Sequence, residues 1–166
     1  MIIILKNKER LIYDDFEFKC VIGMGGKIKD KKEGDKKTPK GTFSLGNLFY
    51  RSDKKKKPTT KLRCIKILKN MGWCDDPLSK KYYNKLINIK KKPNLRFEKL
   101  FRKNSIYDYL IPLNYNTQKR KLGKGSAIFI HLTKNFKKTL GCIAIKENDF
   151  LILARLINKN TKIKIL

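Results

Sequence analysis

The chain has 166 residues, 40% of them hydrophobic, with 42 Lys and Arg against 14 Asp and Glu for a formal net charge of +28. That length supports one domain over residues 1–166 and excludes two comfortable ones; no run approaches the roughly 20 apolar residues of a membrane-spanning helix. The charge favours polyanionic partners, although drift toward Lys, Ile and Asn on a solvated surface accounts for it as well. Arginine is the residue suited to bidentate phosphate recognition, and only seven are scattered along the chain, so a dedicated reader of specific nucleic acid is not expected.

In chain order, Ile2 to Leu5 reads as a first strand, since four apolar residues are too few for a signal-peptide core and no small-residue cleavage site follows. Residues 16 to 22 alternate apolar and polar as one arm of a hairpin turning at Asp14-Asp15. Gly23-Met-Gly-Gly26 lacks the Lys-Ser/Thr and the helix of a phosphate-binding loop and reads as turn geometry. A charged loop ends in Gly34-Asp35-Lys-Lys-Thr38-Pro39-Lys-Gly41-Thr-Phe43, where Gly and Pro punctuate two turns before another strand. Lys54 to Lys57 before Pro58 is a solvated loop, and residues 62 to 68 are strand-like.

The segment from Gly72-Trp73-Cys-Asp75-Asp76-Pro77 to Tyr83-Asn84 is distinctive in residue type. From Asn94 to Arg102 the spacing of Phe97, Leu100 and Phe101 predicts a short helix. Residues 106 to 115 and 125 to 132 read as strands meeting in the core. Glu147 to Asn158 has helical apolar spacing with acids in its first turn, and Thr161 to Leu166 alternates as a last strand. The expected architecture is mainly β (α+β), a sheet or sandwich with one or two packed helices, including a C-terminal helix followed by a last strand.

Four cysteines, Cys20, Cys64, Cys74 and Cys142, form no Cys-x-x-Cys pair, and the one histidine leaves no clustered ligand set. No metal site is expected. The spacing is not that of a small disulfide-stapled scaffold, so the redox compartment stays open.

The single histidine, His131, ends the run Gly125-Ser126-Ala-Ile-Phe-Ile-His131, and Cys142 follows within Thr139-Leu-Gly141-Cys142-Ile-Ala-Ile. A thiol with an imidazole placed elsewhere is a candidate nucleophile and base, because a thiolate at neutral pH needs a nearby proton acceptor or positive charge. The bland alternative is a buried core cysteine and a hydrogen-bonded histidine.

Taken together, Gly34-Asp35-x-x-Thr38-Pro39-x-Gly41-Thr42-Phe43, then His131, then Thr139-x-Gly141-Cys142-Ile143 resemble the L,D-transpeptidase (YkuD-like) catalytic domain of bacterial cell-wall enzymes over nearly the whole chain. Gly72 to Pro77, Tyr83-Asn84, Tyr107-Asp108, Tyr115-Asn116 and Gly125 to Phe129 resemble more specifically a short, single-domain proteobacterial subgroup. The resemblance implies a mainly β sandwich or barrel with the Cys beside the His in a groove. It also implies two-step acyl transfer on peptidoglycan stem peptides without a cofactor, and work in the periplasm or cell envelope.

Carried over by motif, Cys142 is the nucleophile and His131 its base. The Leu132 carbonyl orients the imidazole, and the N–H groups of Gly141 and Cys142 face the oxyanion, where Gly141 permits close backbone approach. Leu140 stands where the family commonly has His and Ala144 where it has Arg, and the stretch between His131 and Cys142 is short; these departures bear on donor binding. Members of the short subgroup are associated with joining a diaminopimelate amine to L-Ala at position 1, so that link and the link between two diaminopimelates both stand. Further substrate-binding candidates are Asp75, Asp76 and Asp108 for an ammonium, Arg102 for a carboxylate, and Trp73, Tyr83, Asn84, Tyr107, Tyr115, Asn116, Ser126 and Thr139 along the groove. Turns, caps and core packing are the ordinary roles of such residues.

Transfer of the acyl group to water in place of an amine would make an L,D-carboxypeptidase or endopeptidase. A non-catalytic basic module binding cell wall or nucleic acid is the alternative outside enzymes. A monomer is expected.

Overall fold

A computed structural model describes residues 1–7 and 9–166. Strands dominate: β1 (Ile2–Leu5), β2 (Arg10–Tyr13), β3 (Phe16–Val21), β4 (Lys27–Ile28), β5 (Thr38–Pro39), β6 (Gly41–Ser44), β7 (Leu48–Tyr50), β8 (Cys64–Lys66), β9 (Met71–Cys74), β10 (Leu86–Asn88), β11 (Phe97–Lys99), β12 (Tyr109–Pro112), β13 (Phe129–Leu132), β14 (Ile143–Ile145) and β15 (Lys162–Ile165). One helix, α1 (Glu147–Leu156), lies between β14 and β15. Among the described residues no helix is long and apolar enough to cross a membrane.

Ten strands form one sheet in the order β6-β15-β1-β2-β3-β14-β13-β12-β7-β8. Its first edge bends back on its other half: Leu45, just after β6, bridges Leu113, and the Asn114 N–H donates to the Ser44 carbonyl at 2.9 Å. The sheet therefore curls into a half-barrel. β9, β10 and β11 make a separate three-stranded sheet, and β4 pairs with β5.

Side chains alternate between the two faces of a strand, and here the alternation separates two cores. Leu48, Tyr50, Tyr109, Ile111, Ile130, Leu132, Ile143 and Ile145 share one cluster with Phe150, Leu153 and Ala154 of α1. Phe150 stacks on Tyr109 with centroids 5.7 Å apart, and burying its ring completely contributes roughly 1.5–3 kcal/mol. Phe49, Leu110 and Phe129 face the other way, into a smaller cluster with Ile67, Leu100 and Tyr107, against which Met71, Trp73 and Cys142 pack.

Two expectations are corrected. The helix expected over 94–102 is absent; Phe97–Lys99 is instead β11, antiparallel to β9, with Phe97 opposite Cys74 and Lys99 opposite Gly72. Its apolar spacing would serve a helix, but Gly72 leaves the space that the Phe97 ring fills: a Cβ there would stand 2.9 Å from Phe97 Cδ2. The strand expected from 125 begins only at Phe129, because positive φ at Gly125 (96°) and Ala127 (51°) breaks the extended run.

Candidate active site

β13 and β14 run parallel, with Ile130 opposite Ile143 and His131 opposite Ala144. Cys142 precedes Ile143 by one residue and so stands level with Phe129. In that register Phe129, His131 and Cys142 share the face away from α1. Both His131 and Cys142 line a cleft of about 1150 Å³.

His131 is 7% exposed. Its Nδ1 sits 2.9 Å from the Leu132 carbonyl oxygen, and its ring meets Tyr107 edge-on with centroids 5.3 Å apart. A carbonyl only accepts, so Nδ1 carries the proton and Nε2 the lone pair. Burial depresses its pKa to about 4; the Leu132 hydrogen bond works the other way and Arg102 adds to the depression. The imidazole is neutral at pH 7.

The Cys142 Sγ donates to the Ala127 carbonyl at 3.3 Å and accepts the Phe129 N–H at 3.4 Å. Burial pushes the thiol pKa up to about 12; the Phe129 N–H opposes this, Glu98 adds to it, and Lys31 and Arg102 lower it. Burial thus works against charge on both groups, favouring a thiol and a neutral imidazole over a preformed thiolate and imidazolium.

Two threonine hydroxyls set the peptide planes on either side of Cys142. Thr38 Oγ1 accepts the Gly23 N–H at 3.0 Å and donates to the Gly141 carbonyl at 2.8 Å. Thr139 Oγ1 donates to the Cys142 carbonyl at 2.6 Å and accepts the Gly141 N–H at 3.2 Å. The Gly141 amide is therefore already engaged, whereas the Cys142 N–H has no backbone or side-chain acceptor among the described residues. It is the better placed of the two to receive a developing oxyanion.

Of the other residues singled out in the sequence, Asp75, Arg102, Ser126, Thr139 and Tyr107 line the cleft. Asp75 pairs with Arg96 at 3.1 Å. Arg102 pairs with Glu98, and its guanidinium lies over the Tyr107 ring at 4.4 Å, while the Tyr107 hydroxyl donates to Glu98 at 2.7 Å. Ser126 donates to Glu33 at 2.7 Å, and Tyr83 donates to the same oxygen at 2.6 Å.

Trp73, Asp76, Tyr83, Asn84, Asp108, Tyr115 and Asn116 do not line the cleft. Asn84 is the hub: its Oδ1 accepts the Trp73 indole N–H at 2.9 Å and the Ala127 N–H at 3.1 Å, and its Nδ2 donates to the carbonyls of Tyr115 and Asn116, each at 2.8 Å. Asn116 Nδ2 in turn donates to the Gly125 carbonyl at 2.9 Å. Asn84, Asn116 and Ala127 all have positive φ, a strained set that this network holds in place. Its product is the Ala127 carbonyl aimed at Sγ. Tyr115 packs edge-on against Phe43 and its hydroxyl donates to the Lys124 carbonyl. Asp76 accepts the Leu78 N–H in its own turn at 3.0 Å. Asp108 is 3% exposed, with Lys54 3.7 Å away, and Oδ1 has no hydrogen-bond partner.

Sequence reasoning passed over Lys31, Glu33, Glu98 and Arg96 in the cleft wall. Glu98 was hidden in the mis-assigned helix, and Lys31 looks like every other lysine. Leu140, at the position noted as a departure, is 69% exposed beside Cys142. The four cysteines are free thiols, and among the described residues no group of three or more His, Cys, Asp and Glu could hold a metal ion.

A family model for the YkuD L,D-transpeptidase catalytic domain matches residues 1–165. No curated protein matches. Among solved structures, Bd1075 of Bdellovibrio bacteriovorus is similar at a TM-score of 0.54 and 17% identity over 99% of this chain and 47% of that one. The helical cell shape determining protein Pgp2 of Campylobacter jejuni is similar at 0.53 and 22%, over 99% of this chain and 46% of that one. The chain thus spans about half the length of these structures, and at such identities the likeness concerns the fold.

Proposed function

The chain belongs to the YkuD family of L,D-transpeptidase catalytic domains, and on that footing we propose that it cross-links peptidoglycan stem peptides through a thioacyl enzyme on Cys142. The observation that carries the reading is the neutral base. With Nδ1–H bound to Leu132, the His131 Nε2 lone pair is available on the face that Cys142 shares.

In the first step Nε2 takes the Sγ proton as sulfur attacks the stem-peptide carbonyl, and the oxyanion gathers at the Cys142 N–H. The carbonyl re-forms, the C–N bond breaks, and Nε2–H delivers its proton to the departing amine, leaving a thioester. An acceptor amine then enters, loses its proton to Nε2 and forms the new amide as the C–S bond breaks, and Nε2–H returns that proton to Sγ, restoring the thiol and the neutral imidazole. General-base removal of the proton at the moment of attack suits a thiol whose burial disfavours a standing thiolate. A cleft of about 1150 Å³ exceeds the span of roughly 300–1000 Å³ usual for small-ligand pockets and suits an extended peptide donor with its acceptor. Such a substrate places the work at the cell envelope.

The test is intact mass after incubation with a tetrapeptide-stem muropeptide, with and without an acceptor amine, for wild type and Cys142→Ala. A mass gain on wild type alone with loss of D-Ala, resolved into cross-linked product by the amine, is expected. An adduct that keeps D-Ala would point to cleavage nearer the start of the stem. Release to water despite the amine would make the protein an L,D-carboxypeptidase or endopeptidase. No adduct at all would leave a non-catalytic basic module.

A further inference from the structure

Among the described lysines and arginines, two are buried, Lys31 and Arg51, each 3% exposed. Arg51 is accounted for by paired hydrogen bonds to Asp53 and by the Phe101 ring 3.5 Å from its guanidinium. Lys31 is different because it lies in the cleft wall beside the candidate nucleophile.

A buried ammonium needs a partner. Asp35 Oδ1 lies 2.5 Å from Lys31 Nζ, and the Lys32 carbonyl is at 3.5 Å. The carboxylate is itself immobilised by the N–H groups of Lys32 at 2.8 Å and Lys37 at 2.9 Å. The lysine stem runs over Gly125, where a Cβ would come within 2.8 Å of Lys31 Cε. Its tip reaches the backbone just before Cys142: a Cβ on Gly141 would stand 3.6 Å from Lys31 Nζ. The absent side chain at Gly125 thus leaves the room that the lysine stem needs to bring its charge to this place.

We propose that Lys31 is a positioning cation of the active site, clamped by Asp35 beside Gly141 so that its ammonium offsets the negative charge on Cys142 Sγ as the proton leaves. The proposal rests on the reading of Cys142 as nucleophile. Around the sulfur, His131 and Tyr107 are neutral, and Glu98 and Arg102 form an ion pair whose two charges act on it in opposite senses. Lys31 approaches from the loop side. Asp35 faces it directly, while the Glu33 carboxylate is turned to Tyr83 and Ser126. A buried ion pair adds little to stability over an apolar pair of the same shape, and packing against Gly125 needs only the methylenes. The charge is what demands another use.

The test is the rate of Cys142 alkylation by iodoacetamide, an uncharged reagent, followed by peptide mass from neutral to alkaline pH without substrate. Cys64, half-buried in β8, serves as the internal reference thiol. Lys31→Met is expected to shift the Cys142 profile to higher pH by about one unit, slowing alkylation about tenfold below its midpoint, and Lys31→Arg to recover most of the rate. If Lys31→Met does not fold, Lys31→Met/Asp35→Asn, which leaves no unpaired carboxylate, is read in its place with the same expectation. A folded variant whose Cys142 profile overlays wild type, judged against Cys64, would overturn the proposal and leave Lys31 as an anchor of the loop or a holder of substrate carboxylate. Because no muropeptide is present, the result stands apart from transpeptidation: a Lys31-dependent thiol with no acyl adduct would sink the function reading and keep this one.

Discussion

The His131 Nδ1 and the Leu132 carbonyl oxygen lie 2.9 Å apart, a contact between neighbours in one strand that settles which ring nitrogen is free. Because the bond is local, it survives any rearrangement of the cleft that leaves β13 intact. The free Nε2 is thus preset by the backbone of the strand that carries the ring.

This buried neutral imidazole makes stability pH-dependent. Burial lowers its pKa from 6.5 to about 4, so the unfolded chain takes up the proton first as pH falls. The contribution is full above pH 6.5, declines between 6.5 and about 4, and is absent below, a swing of roughly 3 kcal/mol. Urea unfolding across that window should show wild type losing more stability than His131→Asn by about that amount. Parallel curves for the two proteins would mean the ring is not held neutral.

Asn84→Ala should both destabilise the fold and loosen the nucleophile. It strands the Trp73 indole, the Ala127 N–H and two carbonyls, and orphaned buried groups cost about 1–3 kcal/mol each before relaxation. A net loss of about 3 kcal/mol corresponds to a fall in Tm of roughly 6–12 °C. With Ala127 released, acyl-enzyme formation should drop as well. A variant with wild-type melting and rate would remove Asn84 from the support of the site.

Glu98→Gln should make Cys142 more reactive. Glu98 opposes thiolate formation, and the amide still offers an acceptor to the Tyr107 hydroxyl now bound at 2.7 Å. Loss of one nearby negative charge, partly offset by its Arg102 partner, should speed alkylation of Cys142 by about three- to tenfold at neutral pH. An unchanged or slower rate would show that Arg102 leaves with the charge that held it.

That His131 and Cys142 share one cleft was legible in the sequence because each sits at a punctuation point: the one histidine at the end of an apolar run, and a cysteine behind a glycine at the head of another. Helix α1 and β15 were readable from period alone. Long-range contacts decided the rest. Phe97 to Lys99 became a strand because of Gly72, far back in the chain. Strand β13 begins late because Asn84 bonds Ala127 from 43 positions away. Tyr83, Asn84, Tyr115 and Asn116 stood out by residue type as groove candidates, yet they hold the Gly125–Ala127 loop in place and do not line the cleft. Lys31 carried no local mark in so lysine-rich a chain except Asp35 four positions on.

Gly141→Ala should separate fold from activity. Gly141 has a φ of 143°, where a side chain is strained, and its Cβ would stand 3.0 Å from the Lys37 carbonyl oxygen and 3.4 Å from Ile128 Cδ1. The Lys37 side cannot yield freely, since Asp35 holds the Lys37 N–H and Thr38 holds the Gly141 carbonyl. The Gly141–Cys142 peptide must then rotate, turning the Cys142 N–H away from the oxyanion. Backbone strain of this kind costs about 1–3 kcal/mol of stability, whereas losing one oxyanion donor costs about 10²–10³ in rate. A folded variant, slightly less stable by thermal melting, should therefore form the acyl enzyme at least about a hundredfold more slowly. If rate and stability fell only in proportion, the glycine would be serving packing alone and the Cys142 amide would not be the oxyanion donor.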